Sequence, residues 1–426
     1  MGNMEKTGLS VAIIGGGVAG IVSAWLLQRR HQVTLFERND YVGGHTNTVT
    51  IPEGPDAGTP VDTGFIVLND RTYPLLHRFL AGLDVPVRDA DMSFGFACEL
   101  TGLQYAGTTL NGLFAQRLNL VSPRMHRMIA DIVRFNRRAR SDLESGSVAD
   151  LTLAEYLGRI GLGDAFRDYY LLPMGAAIWS TSAHRMLEFP AESFLRFFLN
   201  HGLLSLTDRP QWQTVVGGSQ SYVRAFLKSF RGQVRTGTRL HGVRREDDGA
   251  IVMHEDGGSE RFDRVVIATH ADEALALLRD PSDEERRLLG AWEYARNPTV
   301  LHTDVSFLPA NRRAWASWNY RREAQAGSHV PLSVTYHMNR LQGLRTARQY
   351  CVTLNSQRAF AEGSVIASFP YKHPQYTFRS LATQAELPRL NGQRSTYFAG
   401  SYFGYGFHED AVRSGAEVGR LFGEEL

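Results

Sequence analysis

Apolar residues along the chain follow three different rhythms. Val11–Ile14, Val33–Phe36 and Val265–Ala268 are short, nearly unbroken apolar runs. Runs of this kind predict strands buried on both faces of a parallel sheet. Between the first two, Ala19–Arg30 carries helical periodicity, so the segment from Val11 to Glu37 predicts strand, helix, strand. Residues 76–209 repeat instead at helical spacing, with "SPRMHRMIADIVRFNRRARSDLE" and "LTLAEYLGRIGLGDAFRDYYLLPMGAAIW" as predicted helices. Residues 290–370 alternate apolar with polar in "TVLHTDVSFLP", "AWASWNY", "LSVTYHMN" and "YCVTLNS", which predicts an antiparallel sheet. "VVGGSQSYVRAFLKSF" reads as a turn and helix, and "ADEALALLRD" as a short helix. Strand pairs are predicted at "QVRTGTRLHGVRRED" and "AIVMHEDGGSERFDRVVIATH". "IPEGPDAGTP" is a hairpin or loop, and the tail "TYFAGSYFGYGFHEDAVRSGAEVGRLFG" returns to the α/β style.

The glycines in the first unit add chemistry to this pattern. Gly15, Gly17 and Gly20 form G-x-G-x-x-G between a strand and a helix, and Glu37 closes the second strand. In such a unit the first glycine permits the tight turn and the second lets a pyrophosphate approach the backbone. The third lets helix and strand pack closely, and the helix N-terminus offers N–H groups to phosphate. An acid at the position of Glu37 can accept hydrogen bonds from ribose hydroxyls. A glycine-rich turn without ligand is the alternative. The parallel-type segments fall into 1–75, 210–275 and 385–426, which predicts one discontinuous nucleotide-binding domain. Residues 76–209 and 276–384 then form a substrate domain. The expected fold class is α/β plus α+β: a Rossmann-like domain with a parallel sheet, interleaved with a domain of antiparallel sheet and helices.

Composition narrows the partners. The chain has 426 residues, 43% of them apolar, and a net charge of +2. That suffices for two cores and gives no electrostatic reason to expect nucleic acid. Cys98 and Cys351 are the two cysteines; they lack metal-ligand spacing and predict neither a disulfide framework nor a metal site. A reducing, cytoplasmic location is expected. The start "MGNMEKTGLS" is too short and polar for a signal peptide, and its fit to a loose myristoylation pattern is read as accidental. No run of about 18 apolar residues is present. Lysine occurs only at Lys6, Lys228 and Lys372, so arginine carries nearly all the basic charge.

The split arrangement resembles the flavin-containing amine oxidase superfamily, which includes monoamine oxidases, protoporphyrinogen oxidases and phytoene desaturases. The resemblance rests on Gly15-Gly16-Gly17-Val18-Ala19-Gly20, Glu37, Gly43-Gly44-His45, Asp62-x-Gly64, "VVIAT" and "FAGSYFGYGFHEDAVRSG". It implies non-covalent FAD, held by these positions with Arg38 and Thr46 beside them. It further implies that Gly400 and Ser401 approach the pyrophosphate and ribityl chain, that His408 and Glu409 present backbone N–H groups to the flavin, and that Leu240 lies near the adenine. His45 is expected to meet the cofactor through its backbone. Neither cysteine stands where relatives attach flavin covalently.

More narrowly, "VTYHMNRLQGL", "HPQYTF" and "GFHEDAVRSG" look like a bacterial branch of FAD-binding proteins associated with cyclopropane-fatty-acid-synthase-like methyltransferases. That association implies an acyl chain on a phospholipid as substrate, dehydrogenated on the way to furan fatty acids, and a fatty-acyl methyltransferase as partner. Three departures bear on the chemistry. The lysine that faces flavin N5 in many relatives falls near Thr299 here, and no lysine is present. His302 and Asp304, on one face of the same strand, are either a proton-transfer pair or a core histidine and its cap. Phe407, with Tyr376 or Phe378, replaces an amine-guiding tyrosine pair, which suits an alkyl chain better than a protonated amine; plain packing is the alternative for Phe407.

Access to a lipid would use Arg117–Arg140, where only Asp131 opposes seven arginines, and the Phe- and Leu-rich Phe189–Leu206. These predict a peripheral contact with the inner membrane; a solvated face and a buried helix are the alternatives. Three other functions compete: an amine or polyamine oxidase, a carotenoid- or porphyrin-type desaturase or isomerase, and a non-catalytic FAD-bound partner of a methyltransferase.

Overall fold

The computed structural model describes residues 7–205, 207, 209–323 and 333–426. The N-terminal "MGNMEK", Leu206 and Leu332 lie outside the described residues. Five parallel strands form the first sheet in the order Gln233–Arg235, Gln32–Phe36, Ser10–Ile14, Arg264–Ile267 and Thr396–Phe398. The strand Ser10–Ile14 is buried on both faces. Val11 and Ile13 point into one core, Ala12 and Ile14 into the other, which explains its unbroken apolar run. Against the sheet lies the helix Val18–Leu27, shorter than the Ala19–Arg30 expected at its C-terminal end.

The C-terminal helix His408–Leu421 packs directly on that first helix. The contact depends on small residues. A Cβ on Gly415 would come within 2.5 Å of the Ala19 carbonyl oxygen, and one on Gly419 within 2.5 Å of Leu26. Two helices from opposite ends of the chain are thereby packed together, with Ala19 at the start of the first against Gly415 inside the second.

The second large sheet has seven strands in the order Val365–Gln375, Glu293–His302, Cys351–Leu354, Ser333–His337, Trp318–Arg322, Phe94–Cys98 and Gln104–Ala106. Its pairs are antiparallel, as the alternation predicts, except that Trp318–Arg322 runs parallel to Phe94–Cys98. The expected pairing within 233–247 is corrected. Gln233–Arg235 joins the parallel sheet, whereas Leu240–Arg245 starts a separate antiparallel sheet with Ala250–His254 and Ser259–Phe262. "IPEGPDAGTP" resolves as a hairpin joining Thr48–Thr50 to Pro60–Asp62.

Residues 151–179 break into several helices because Gly161 ends the helix Leu153–Ile160 in the left-handed conformation, φ +64°. The helix Pro123–Glu144 is continuous. Its arginines are partly committed: Arg134 pairs with Asp131, Arg138 with Asp142, and Arg140 donates to the Leu204 carbonyl at 2.9 Å. The Phe-rich stretch from Phe189 is core, since Phe194, Leu195, Phe197 and Phe198 are all buried. Leu199 in the same stretch is 40% exposed. Among the described residues no helix is long and apolar enough to cross a membrane.

Candidate active site

A cavity of about 1370 Å³ runs from the carboxyl end of the parallel sheet to the face of the seven-stranded sheet. Ligands bind at that end of open α/β sheets. At the sheet end the wall is made by Gly15, Gly17, Val18, Ala19, Glu37 and Arg38. Gly15 has φ +105°, and a Cβ there would sit 2.6 Å from the Ala268 carbonyl oxygen. A Cβ on Gly20 would sit 2.0 Å from the Gly15 oxygen. Those two glycines serve the fold. Gly17 differs: a Cβ there meets nothing within 4 Å and points into open space. That space lies over a helix N-terminus and fits a diphosphate. Glu37 accepts from the backbone N–H groups of Gly16 and Asn39, each at 2.8 Å. This uses about two of its four lone-pair positions and leaves capacity for ribose hydroxyls. Arg38 lines the same end and pairs with Glu273 at 3.1 Å. Leu240, with Thr238 and His241, continues the wall beyond it.

A second loop closes over the first. Gly43 N–H donates to the Gly16 carbonyl at 2.8 Å, and Gly44 lies against Gly17. Gly64 packs so tightly that a Cβ would fall 2.1 Å from the His45 carbonyl oxygen. Gly43, Gly44, His45 and Gly64 all line the cavity. The His45 ring does more than lend its backbone. Its Nε2–H donates to the Lys372 carbonyl at 3.1 Å, and the ring stacks on Tyr371 with centroids 4.9 Å apart. His270 and His373 stand near it, at 6.0 and 5.4 Å between centroids. Burial lowers the pKa of His45 to about 4 and of His373 to about 3, so these imidazoles are neutral at pH 7.

Gly400, Ser401, Phe407 and His408 form the wall where the C-terminal helix begins. The His408 ring stacks on Phe65 with centroids 3.7 Å apart, and its Nε2 shares a 2.8 Å hydrogen bond with the Tyr222 hydroxyl. The Thr46 and Tyr222 hydroxyls are bonded to each other, which places Thr46 behind the wall rather than on it. Glu409 also lies behind the wall. Its carboxylate accepts from Leu75 and Leu76 N–H at 3.0 and 2.9 Å and caps the helix Pro74–Gly82.

Three expectations are corrected. Asp62 is not on the cavity wall. It is fully buried and accepts from the Ser219 backbone N–H at 2.8 Å and from the Thr48 hydroxyl at 2.6 Å, holding the turn before the helix Gln220–Ser229. Burial raises its pKa to about 6. His302 and Asp304 also lie away from the cavity. His302 Nε2 is bonded to the Thr353 hydroxyl at 2.7 Å, Nδ1 accepts from the Asp304 N–H at 3.1 Å, and the ring packs against Phe307 and Phe360. Asp304 caps the turn that follows, accepting from Ser306 N–H at 2.9 Å. His302→Ala is expected to destabilise the protein by on the order of 2 kcal/mol, through a lost buried contact and an orphaned hydroxyl. Cofactor reduction, followed by its absorbance under substrate, is expected to keep its wild-type rate.

The substrate-domain end is aromatic and aliphatic. Trp179, Phe197, Phe407, Trp318 and Leu354 line it with Met174. The Phe407 ring stacks on Phe197 at 4.8 Å. Tyr376 lines the cavity too, but its hydroxyl donates to the Gly404 carbonyl at 2.9 Å and burial pushes its pKa up, so it is no proton acceptor. The acids on the whole wall are Glu37, Glu255 and Glu273. Glu273 is engaged by Arg38 and by Lys372, the latter at 3.5 Å. Sequence reading missed His270, His373 and Trp179. His270 had a signal, since it follows the carboxyl end of a parallel strand.

The residues present fit FAD: an open cradle over Gly17, an acid with spare acceptor capacity beyond it, and a second helix N-terminus at His408 in the same cavity. The described model for flavin containing amine oxidoreductases matches residues 18–420. The chain is 25% identical over 325 residues to the carotenoid phi-ring synthase of Streptomyces griseus, covering 72% of this chain and 59% of that protein. It spans less than two thirds of the length of the curated relatives it matches. Among solved structures, a putrescine oxidase shares the fold at TM-score 0.70 and 13% identity, covering 98% of this chain and 99% of that one. A fatty acid isomerase from P. acnes that produces CLA does so at TM-score 0.69 and 17% identity, covering 99% and 100%. The chain belongs to the family of flavin-containing amine oxidoreductases, and its cofactor is FAD, which the two glycine-rich loops and the helix N-termini at Val18 and His408 would hold.

Proposed function

We propose that this flavoprotein dehydrogenates a lipid acyl chain, a methylated unsaturated chain carried on a phospholipid. The observation that carries the reading is the absence of any carboxylate from the aromatic end of the cavity wall, among the described residues. A protonated amine entering there would lose its hydration without an ionic partner, which is costly. An alkyl chain gains from the same surroundings, at about 25 cal/mol per Å² of apolar area removed from water. When bound, FAD would supply the two-electron acceptor; the acyl chain would lose a hydride from one carbon and a proton, to a water, from its neighbour, and gain a carbon–carbon double bond. Trp179, Phe197 and Phe407 hold the chain and keep bulk water from it. His373 stays neutral with Nδ1 accepting from the Asn297 amide at 2.8 Å, so it adds no charge beside the chain. The fold shared with the P. acnes fatty acid isomerase is compatible with an acyl substrate.

The test is anaerobic bleaching of the visible flavin band. Micellar phospholipid with methylated monounsaturated chains is expected to bleach the holoprotein, whereas putrescine and primary alkylamines leave it yellow. Bleaching by the amines and not by the lipid would overturn the proposal in favour of an amine oxidase.

A further inference from the structure

We propose that the chain docks on anionic membrane through a patch around residues 110–121, and that acyl chains enter the cavity beside it. The proposal rests on the acyl-chain reading above for its purpose, though not for its geometry. Leu110, Leu118, Leu120 and Val121 are 76%, 83%, 49% and 78% exposed, and Leu100 in the adjoining hairpin is 59% exposed. Single exposed leucines are ordinary, but this many in one short surface segment mark an interaction site. The segment is anchored rather than loose: Gln116 accepts from Gln104 N–H at 2.9 Å and donates to the Gly102 carbonyl at 2.8 Å. Asn311 donates to the Ala115 carbonyl at 2.8 Å, which brings the exposed Arg312 and Arg313 alongside.

The charge around the patch is mostly of one sign; the exception is Glu99, beside Leu100, which Arg321 engages at 2.6 Å. No Asp or Glu occurs from Leu100 to Ala130 or from Val305 to Arg322. Arg117, Arg124 and Arg127 are exposed in the first of these segments. Apolar side chains ringed by arginines, with the one adjoining acid already paired, match a surface of anionic headgroups over acyl chains. The location matches as well. Gly107 and Thr108 are exposed, line the cavity and immediately precede the patch. A chain leaving the bilayer there reaches the aromatic chamber through Tyr105 and Trp318, which line the same cavity.

The test is flotation of the holoprotein with vesicles of phosphatidylcholine alone or mixed with phosphatidylglycerol. Wild type is expected to float with the mixed vesicles and to be released by high salt. The double variant L118E/V121E is expected to lower partitioning by on the order of 100-fold. R312E/R313E is expected to lower it by roughly 10- to 100-fold on mixed vesicles only. Both should stay yellow with unchanged thermal midpoints, because all four residues are exposed. Bleaching by vesicle-embedded lipid should slow in both variants, and bleaching by micellar lipid should not. Failure of wild type to float, or equal flotation of all forms, overturns the docking surface. A wild-type dimer that L118E/V121E converts to monomer, without flotation, reassigns the patch to self-association and also overturns it. Flotation without bleaching by micellar lipid leaves the docking surface in place and removes the acyl-chain reading instead.

Discussion

Gly17→Leu protein is expected to fold and to purify without colour. Gly17 has φ −71° and ψ 175°, a conformation open to any L-residue, so the substitution brings no backbone strain. A leucine Cβ would meet no protein atom within 4 Å. Its side chain would instead occupy the space over the N-terminus of the helix Val18–Leu27, where the diphosphate belongs. FAD affinity should fall by at least on the order of 1000-fold, because the cofactor must lose its backbone contacts there or displace the side chain. Gly15 and Gly20 serve as controls with the opposite outcome. A Cβ at either one strikes backbone carbonyl oxygen, at 2.6 and 2.0 Å, so Gly15→Ala and Gly20→Ala should lose soluble protein altogether. The measurement is flavin released per mole of folded protein, with circular dichroism to show the fold. A yellow Gly17→Leu protein with stoichiometric FAD would place the diphosphate elsewhere.

The contrast among these glycines shows what could be read in the chain. The strand–helix–strand unit is local: its turn, its helix and Glu37 lie within one short span, and each is imposed by backbone sterics or by burial on both faces. The chamber is not local. Trp179 and Phe197 come from two helices, Trp318 from a strand and Phe407 from the start of the last helix, and they line one chamber only in the fold. The error over His302 has the same origin. Alternation along Glu293–His302 tells which residues share a face, but not which face looks onto the cavity. For Asp62 the family resemblance implied a ligand contact, yet the carboxylate closes a turn 157 residues away in sequence. The Phe-rich stretch from Phe189 has the composition of a membrane contact. In the fold it is largely core, and the most exposed leucines lie instead in a segment whose helical pattern is weak.

Acidification from pH 7 to 5 is expected to destabilise the protein steeply, and the histidines set the sign. Burial lowers the pKa of His45 and His201 to about 4 and of His373 and His408 to about 3, and it lowers that of His270 as well. An unfolded histidine takes up its proton near pH 6.5, whereas these folded ones resist until far lower. Between those limits the unfolded state binds more protons, so stability is complete above pH 6.5 and is lost as pH falls through the window toward 4. By pH 5 each such histidine costs on the order of 2 kcal/mol relative to neutral pH. Asp62 opposes this, because its raised pKa of about 6 lets the folded state bind an extra proton as pH falls below 6. Asp272, Glu323, Glu409 and Asp410, whose pKa values burial also raises, act with Asp62, while the buried His302 and His337, whose pKa values burial lowers, act with the five rings; seven imidazoles against five carboxyls keep the slope. The sum is comparable with the whole stability of an ordinary domain, about 5–15 kcal/mol. The thermal midpoint should therefore drop by on the order of 10 °C or more between pH 7 and 5. All five rings line the cavity, so flavin should be released over the same interval. His201→Gln removes one titrating ring from the wall and should flatten the midpoint-against-pH curve by about a seventh, the equal share of one ring in seven. A midpoint that stays level from pH 7 to 5 would mean that these imidazoles are solvated or already charged, and the neutral, water-poor lining required for an alkyl substrate would go with them.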